Sequence, residues 1–594
     1  MGTEIPVTPN LPPPAASGRR FLPAMLLAGI FLVAGILRFH HLETREPRIS
    51  DEADYLMEAQ WVSSLTHALL DSLALYQEER RSGKDLWKKE EQLSRIRDSL
   101  RGHAPYMARP GHILLIALAM EFLDNPFLSG AWVSALFGLL TVLPLSALAR
   151  RLYGTPVALL ASFFLAISAC HVWYSRTGFA EADTTFFVVL TIYLYLVSTK
   201  RRTLPLFALT GLSAGLGFIV HHRFVLFLAA LWLFEVLRCV RERSRGRRAE
   251  DLLRFLVLNV CFALPIFAIE FLYHLAFIAL QTLGESLPCP TYFSQLLLIL
   301  GYIQVNNLIP YAHFFTWHNF LTYPYLFWIF EGPCFCALLL GGIAMLAVRH
   351  RWPEGIIALL LLGPLAFYSY QNAEARFISG SLPFAMVSMA LFVHSALAWA
   401  EKKGSAIFRT AWLLVLLVLA AQSGIAWSRI QEHDQLRADY RGAAEYLLST
   451  GNPGNVSVYP HPFRLYLGEA LTAIPPGSEE ALKELYENGF RYAVVVEFLD
   501  YYLQRFDIPE IKTRFAGIRS LLDSRLVFER ICERMEPAFE APCDFCTSPL
   551  NILEINLNFR KSLAFMEKAR QNTYDKIRVY DLGKVFRSEN PEGR

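Results

Sequence analysis

The sequence predicts an α-helical polytopic membrane protein that ends in a small α/β domain. Three observations predict it. Of 594 residues 54% are hydrophobic and only 18% charged, the mean hydropathy is +0.31, and long apolar segments alternate with short basic connections. Such apolar content exceeds what a soluble core holds. The net charge of +3 is small for the length, and the basic residues cluster by loop rather than by face, which argues against a nucleic-acid partner.

A Pro-rich tail, residues 1–20, ends in Arg19 and Arg20 and meets an uncharged run from Phe21 to Leu37. These have the charged and apolar regions of a signal peptide, but Arg38-Phe-His-His41 follows where a small-residue cleavage site would stand. The run reads as a retained first helix with its tail in the cytoplasm. Later apolar segments fall at 129–149, 155–174, 184–199, 204–220, 224–237, 252–280, 326–348, 354–370, 378–400 and 406–427. That makes about eleven spans, each near the ~20 residues a bilayer helix needs. Residues 111–122 are too short for a span and are expected to pack obliquely.

Arg150-Arg151, Lys200 to Arg202, the Arg-rich stretch Arg238 to Arg248, Arg349 to Arg351 and Lys402-Lys403 fall on one side, which the positive-inside rule makes cytoplasmic. An odd span number then exports the C-terminal part, 431–594, from a transmembrane domain at 21–430. Residues 39–110 form a long outer loop, with a charged amphipathic stretch from Asp71 to Arg101 lying on the membrane surface, and 281–325 form a second. Beyond Arg429, helix-like patterns at 444–448 and 480–486 alternate with strand-like ones at 455–459 and 491–497. Of nine cysteines, Cys543 and Cys546 with Cys532 nearby suit a disulfide in an exported domain better than a structural metal.

Polar residues gather at the outward ends. Asp51 and Glu52 follow the first span, and on a helix Asp51, Asp54, Tyr55 and Glu58 would share one face. The competing reading is a helix cap at Ser50 or Asp51. A second acidic stretch runs from Arg176 to Glu181 and Asp183 at another outward turn, where Asp183 could cap a helix and Arg176 snorkel to the interface. His221-His222-Arg223 puts a compact cationic triplet on the side that topology does not favour for positive charge, and Arg109 and Arg376 add cations at two re-entry points. Phosphate binding would explain them.

The order of these pieces resembles a known family. A first span, the outer Asp51-Glu52, Arg109-Pro110-Gly111, the inner turn Ala149 to Gly154, the stretch Ser175 to Asp183, and Arg376-Phe377 followed by Leu382-Pro383 are similar to the C-type, polyprenol-phosphate-sugar-dependent glycosyltransferases. The similarity is strongest to the protein O-mannosyltransferase and aminoarabinose-transferase branch, covers residues 20–430 and peaks over 105–237. The chain departs from it with Arg-Pro-Gly where many relatives have a Pro-Pro pair, with His221-His222-Arg223 where many carry a Lys, and with an expanded first loop.

The resemblance implies a C-type fold and inverting transfer of a monosaccharide from a polyprenyl-phosphate donor to a protein, lipid or glycan hydroxyl on the exported face. It makes Asp51, with Glu52 adjacent, the catalytic base, and maps the second acidic loop onto Glu181 and Asp183. Asp54, Tyr55, Arg109, Arg176, His221, His222, Arg223 and Arg376 are the further substrate-binding candidates. No cofactor or metal is assigned, although oligosaccharyltransferase-type relatives make a divalent cation between the two acidic loops the alternative. The expected setting is a bacterial inner membrane and its envelope, with membrane lipid around the spans. A transporter or lipid flippase is the rival reading, and would put ionisable residues near span centres, where Glu270 and His274 are the exceptions noted. A non-catalytic envelope scaffold leaves both acidic loops unexplained.

Overall fold

A computed structural model describes residues 18–44, 47, 50–83, 88, 91, 94, 109–242, 248–282, 292–293, 320–349, 351–371, 375–435, 439–451, 455–457, 460–467, 471–473, 478–496, 536–542 and 576–586. Among them, eight helices are long and apolar enough to cross a membrane, and the bundle is joined to a small sheet at its C-terminal side. Helix α1 (Gly18–Phe39) leads into α2 (Ser50–Ser82), and α3 (Pro110–Met120), α4 (Ser129–Leu140), α5 (Val142–Tyr153), α6 (Thr155–Ala166) and α7 (Ala169–Tyr174) follow. Then come α8 (Glu181–Arg201), α9 (Leu204–Val220), α10 (Val225–Glu242), α11 (Arg248–Thr282), α12 (Thr322–Arg349), α13 (Trp352–Gln371), α14 (Leu382–Lys403) and α15 (Ser405–Gln435).

Several segments read as spans differ in detail. The one at 155–174 is broken because Ser168 caps α7, its Oγ accepting from His171 N at 3.2 Å. That N-terminus is completed by Glu331 of α12, which accepts from Ser168 Oγ at 2.5 Å and from the amides of Ala169 and Cys170 at 3.1 and 3.0 Å. Glu331 is thus a buried ionisable residue inside a span that the sequence reading passed over, and its role is to cap a helix. Glu235 of α10 is likewise buried and takes the Tyr195 hydroxyl at 2.9 Å. The 111–122 segment forms the short apolar helix α3.

Basic last turns recur where expected: Arg150-Arg151 on α5, Lys200-Arg201 on α8 and Lys402-Lys403 on α14. Cations are favoured there, beside the unpaired carbonyls of a helix C-terminus. At the opposite ends stand the first residues of α8 and of α14 and the last of α9. Helices α9 and α11 approach closely because Gly211 and Gly215 face the backbone of Leu258 and Phe262, where a Cβ would collide with carbonyl oxygens.

The C-terminal part holds α16 (Tyr440–Ser449), β1 (Asn455–Ser457), α17 (Pro460–Leu467), β2 (Leu471–Ala473), α18 (Glu479–Glu487), β3 (Tyr492–Val496), β4 (Phe539–Pro542), β5 (Lys576–Asp581) and α19 (Gly583–Phe586). The sheet order is β2-β1-β3-β5-β4, with β1 parallel to both neighbours and β5 antiparallel to β3 and β4. The predicted helix and strand alternation at 444–497 is therefore present. The boundary placed at 430 falls inside α15, which continues to Gln435. Asp439 then caps α16 through Gly442 N at 2.7 Å while its own amide donates to Pro542 O at 3.0 Å, which pins the helix to β4. Cys532, Cys543 and Cys546 and most of the amphipathic stretch after Ser82 lie outside the described residues.

Candidate active site

Five chain segments meet at the end of the bundle opposite the basic turns: the start of α2, the start of α3, the turn 175–180 into α8, the turn after α9, and the 3-10 segment Ala375–Ser381. Each is a helix terminus, so backbone polar groups and charged side chains gather there.

The buried face of α2 runs through Glu52, Tyr55, Leu56, Glu58 and Ala59, so Tyr55 and Glu58 of the predicted Asp51, Asp54, Tyr55 and Glu58 face turn inward and Glu52 joins them because Leu56 and Ala59 seek the core. Asp54 is left half-exposed. Glu52 Oε1 accepts the Gly178 amide at 2.7 Å. The helix α2 is thereby docked onto the turn that carries the second acidic stretch. Asp51 occupies the first turn of α2, and its side chain lies outside the described residues.

His112 of α3 is the centre of the arrangement. It is fully buried, its Nδ1 lies 2.7 Å from Asp183 Oδ2 and its Nε2 lies 2.9 Å from Gly178 O. Both ring nitrogens face oxygen, so His112 ties α3 at once to the first turn of α8 and to the turn at Gly178. Asp183 is thus engaged across the site and does not cap α8, whose N-cap Ala180 makes no side-chain bond. The Tyr55 ring meets the His112 ring edge-on with centroids 5.2 Å apart, and the Arg109 guanidinium lies over Tyr55 at 4.9 Å. Position 111 must be glycine for this to close: a Cβ there would stand 2.9 Å from both Ile219 Cγ1 and Val220 N at the end of α9.

Glu181 forms the second centre. Its carboxylate is buried, and Arg376 Nε, Arg223 Nη1 and His221 Nε2 lie 3.9, 4.0 and 4.0 Å from Oε1, beyond hydrogen-bond reach. Arg223 stacks on Phe377 at 3.4 Å and Arg376 lies over Phe179 at 5.1 Å, so aromatic faces hold both guanidiniums flat. His221 Nδ1 accepts the Arg223 amide at 3.1 Å, which leaves Nε2 to carry the ring's hydrogen towards Glu181. Burial, and after it the charges of Arg109, His222, Arg223 and Arg376, push His221 well below the ordinary imidazole range. Burial beside guanidiniums lowers His222 as well, and Arg223 supplies the fixed charge of the triplet 221–223. Arg223 and Arg376 lie beside the carboxylate of Glu181, while Arg109, over Tyr55, stands close enough to His221 and His222 for its charge to act on both. Guanidiniums placed in this way present planar donors of the kind that suit an anion.

Arg176 stands apart from this cluster. It does not snorkel but is buried, donating to His40 O at 2.6 Å and ion-pairing with Asp434, so it joins the ends of α1 and α15. His112 was missed in the sequence although it follows Arg109-Pro110-Gly111 directly. Its only signal was a histidine in the first turn of an otherwise apolar helix, which is more often a satisfied core residue. Glu52, Glu181 and Asp183 are engaged separately, by an amide, by the arginine and histidine ring and by His112, and among the described residues their ligand atoms do not gather into one metal site.

Residues 104–268 match the sequence model of the dolichyl-phosphate-mannose-protein mannosyltransferase family. The matched stretch contains Arg109, His112, Glu181, Asp183, His221 and Arg223. Among solved structures, the fold is similar to the archaeal oligosaccharyltransferase AglB from Archaeoglobus fulgidus in complex with an inhibitory peptide and a dolichol-phosphate, with a TM-score of 0.58 and 13% identity over 84% of this chain and 72% of that one. The oligosaccharyltransferase of the same organism tethered to an acceptor peptide containing the NVT sequon gives a TM-score of 0.53 at 13% identity, over 82% and 71%. ArnT from Cupriavidus metallidurans bound to undecaprenyl phosphate aligns over 82% of this chain and 95% of that one at 14% identity, with a TM-score of 0.45. No curated protein matches by sequence. The resemblance read from the residues thus holds, and the chain is an integral membrane protein with a C-type glycosyltransferase fold.

Proposed function

We propose that the protein transfers a monosaccharide, with inversion, from a polyprenyl-phosphate donor to an acceptor hydroxyl on the exported face of the membrane. The observation that carries this reading is the meeting of Arg223 and Arg376 beside Glu181, with Arg109 near His221, at the bundle end where α2 delivers Asp51 and Glu52. The similar AglB structure holds a dolichol-phosphate, which supports a lipid phosphate as the anion for these arginines.

The chemistry then follows from charge. Asp51 takes the proton of the acceptor hydroxyl, the oxygen attacks the anomeric carbon, and the carbon–oxygen bond to the lipid phosphate breaks with its electron pair leaving on phosphate. The leaving group departs as an anion, so fixed guanidiniums stabilise it without a general acid. Glu52, tied to Gly178, positions the start of α2. The His112–Asp183 pair fixes the same turn from the other side. Residues 431–594 lie outside the membrane with the site, as the basic turns at the opposite end support.

Lysine substitution tests the phosphate assignment. Arg223→Lys and Arg376→Lys keep the charge but lose the two-pronged, ring-stacked donor, so each is expected to weaken polyprenyl-phosphate binding about tenfold in titrations of purified protein. Unchanged affinity in both would defeat the assignment.

A further inference from the structure

Where the first and last long apolar helices end on the same side, three metal-ligating side chains come together that the proposed transfer does not use. His40 and His41 close α1, and Asp434 closes α15 almost four hundred positions later. One ligand atom from each lies within 4.8 Å of the others. Consecutive residues ordinarily direct their side chains apart. Here His41 adopts a left-handed backbone with φ of 49°, and the two imidazoles lie face to face with centroids 4.1 Å apart. A bulky residue takes that conformation at a cost, which the surroundings must offset.

The remaining groups support a coordination site. Arg176 ion-pairs with Oδ1 of Asp434 and donates to His40 O at 2.6 Å, so one buried side chain orients two of the three ligands from behind. A carboxylate fixed through one oxygen retains the other for a cation, the usual relation between a ligand and its supporting shell. The charge of Arg176 is balanced in turn by nearby Glu43. Trp427 packs on His40 with centroids 4.8 Å apart, and His433 stands behind Asp434 at 3.9 Å. His41 is exposed and its two companions half-buried, which leaves a way in for an ion from solvent.

We infer that His40, His41 and Asp434 bind a divalent transition-metal ion, with zinc the best match to two imidazoles and one carboxylate. Two nitrogen donors and one oxygen donor with a fourth position open is a zinc-type set and a poor one for magnesium or calcium, which take mainly oxygen. The ion would tie the exit of α1 to the end of α15, beside the turn whose Gly178, two residues after Arg176, docks Glu52. It is a cross-link between spans, separate from the arginine cluster.

Cobalt is the probe, because in a tetrahedral nitrogen and oxygen site it absorbs in the visible. The full-length protein, purified in detergent through a tag without histidines and stripped with chelator, is titrated with Co²⁺, and zinc is then added to displace it. One cobalt per chain with a visible band is expected, together with a rise in melting temperature. His41→Asn, which suits the left-handed backbone and sits on the surface, should retain the fold by circular dichroism and lose at least about tenfold in cobalt affinity, as even supporting residues of metal sites do. Asp434→Asn should lose as much, and its thermal melt without metal shows separately what the contact with Arg176 contributes. Absence of stoichiometric binding, or equal affinity in wild type and His41→Asn, would overturn the site.

Discussion

Removing His112 should destabilise the protein far more than neutralising its partner. His112→Ala leaves the fully buried Asp183 carboxylate without the imidazole 2.7 Å away and frees Gly178 O as well. Breaking one side of a buried, hydrogen-bonded pair costs about 3–5 kcal/mol, mostly because the surviving charge stays desolvated. Asp183→Asn costs less, about 1–1.5 kcal/mol, since the amide can donate to Nδ1 while Nε2–H still reaches Gly178 O. In the double variant the stranded group is a neutral amide, so it should melt higher than His112→Ala despite carrying one more substitution. Thermal unfolding of the four proteins in one detergent and lipid mixture gives the comparison. Additive losses, with the double variant the least stable of all, would refute a coupled pair between these residues.

Other expectations follow from the same geometry. Gly111→Ala forces a Cβ against the backbone of α9 at 2.9 Å; overpacking of this kind costs about 1–3 kcal/mol, so both melting temperature and donor affinity should drop, and an unchanged melt would mean that α3 and α9 are not in such close contact. Because His221 is held below its ordinary range, the folded state resists a proton that the unfolded chain accepts near pH 6.5. Stability should be full above that value and decline as pH falls beneath it, by up to about 1.4 kcal/mol per unit, and His221→Gln should flatten the decline; stability that rises on acidification would contradict the assignment. Reporter fusions at Gly404 and Gly451 should report cytoplasmic and exported positions respectively, and a cytoplasmic signal at Gly451 would remove the shared exported face.

Much of this was legible because a bilayer makes sequence patterns long and simple. Apolar length and basic last turns located the long helices, and Glu181, Arg223 and Arg376, far apart in the chain, do meet. Their meeting could be read from topology alone, since antiparallel helices bring alternate turns to one end. Finer features depend on packing that periodicity does not encode. The helix α2 turns its Glu52 face inward because of Leu56 and Ala59, the 155–174 segment breaks because Glu331 arrives from α12 to cap it, and His112 gains its importance from partners 66 and 71 positions away. The lowered His221 is of the same kind, since desolvation of an imidazole beside guanidiniums is a property of the folded site.

The most direct test of the proposed transfer is turnover of a polyprenyl-phosphate-linked sugar by purified protein in proteoliposomes, scored as polyprenyl phosphate released, for wild type against Asp51→Asn. The substitution preserves shape and removes the basic oxygen, and a general base typically contributes about 100-fold or more. Wild type should release polyprenyl phosphate, and the variant should bind the donor normally while turning over at least about 100-fold more slowly. More than about a tenth of wild-type turnover in the folded variant would contradict Asp51 as the base that the proposed mechanism requires.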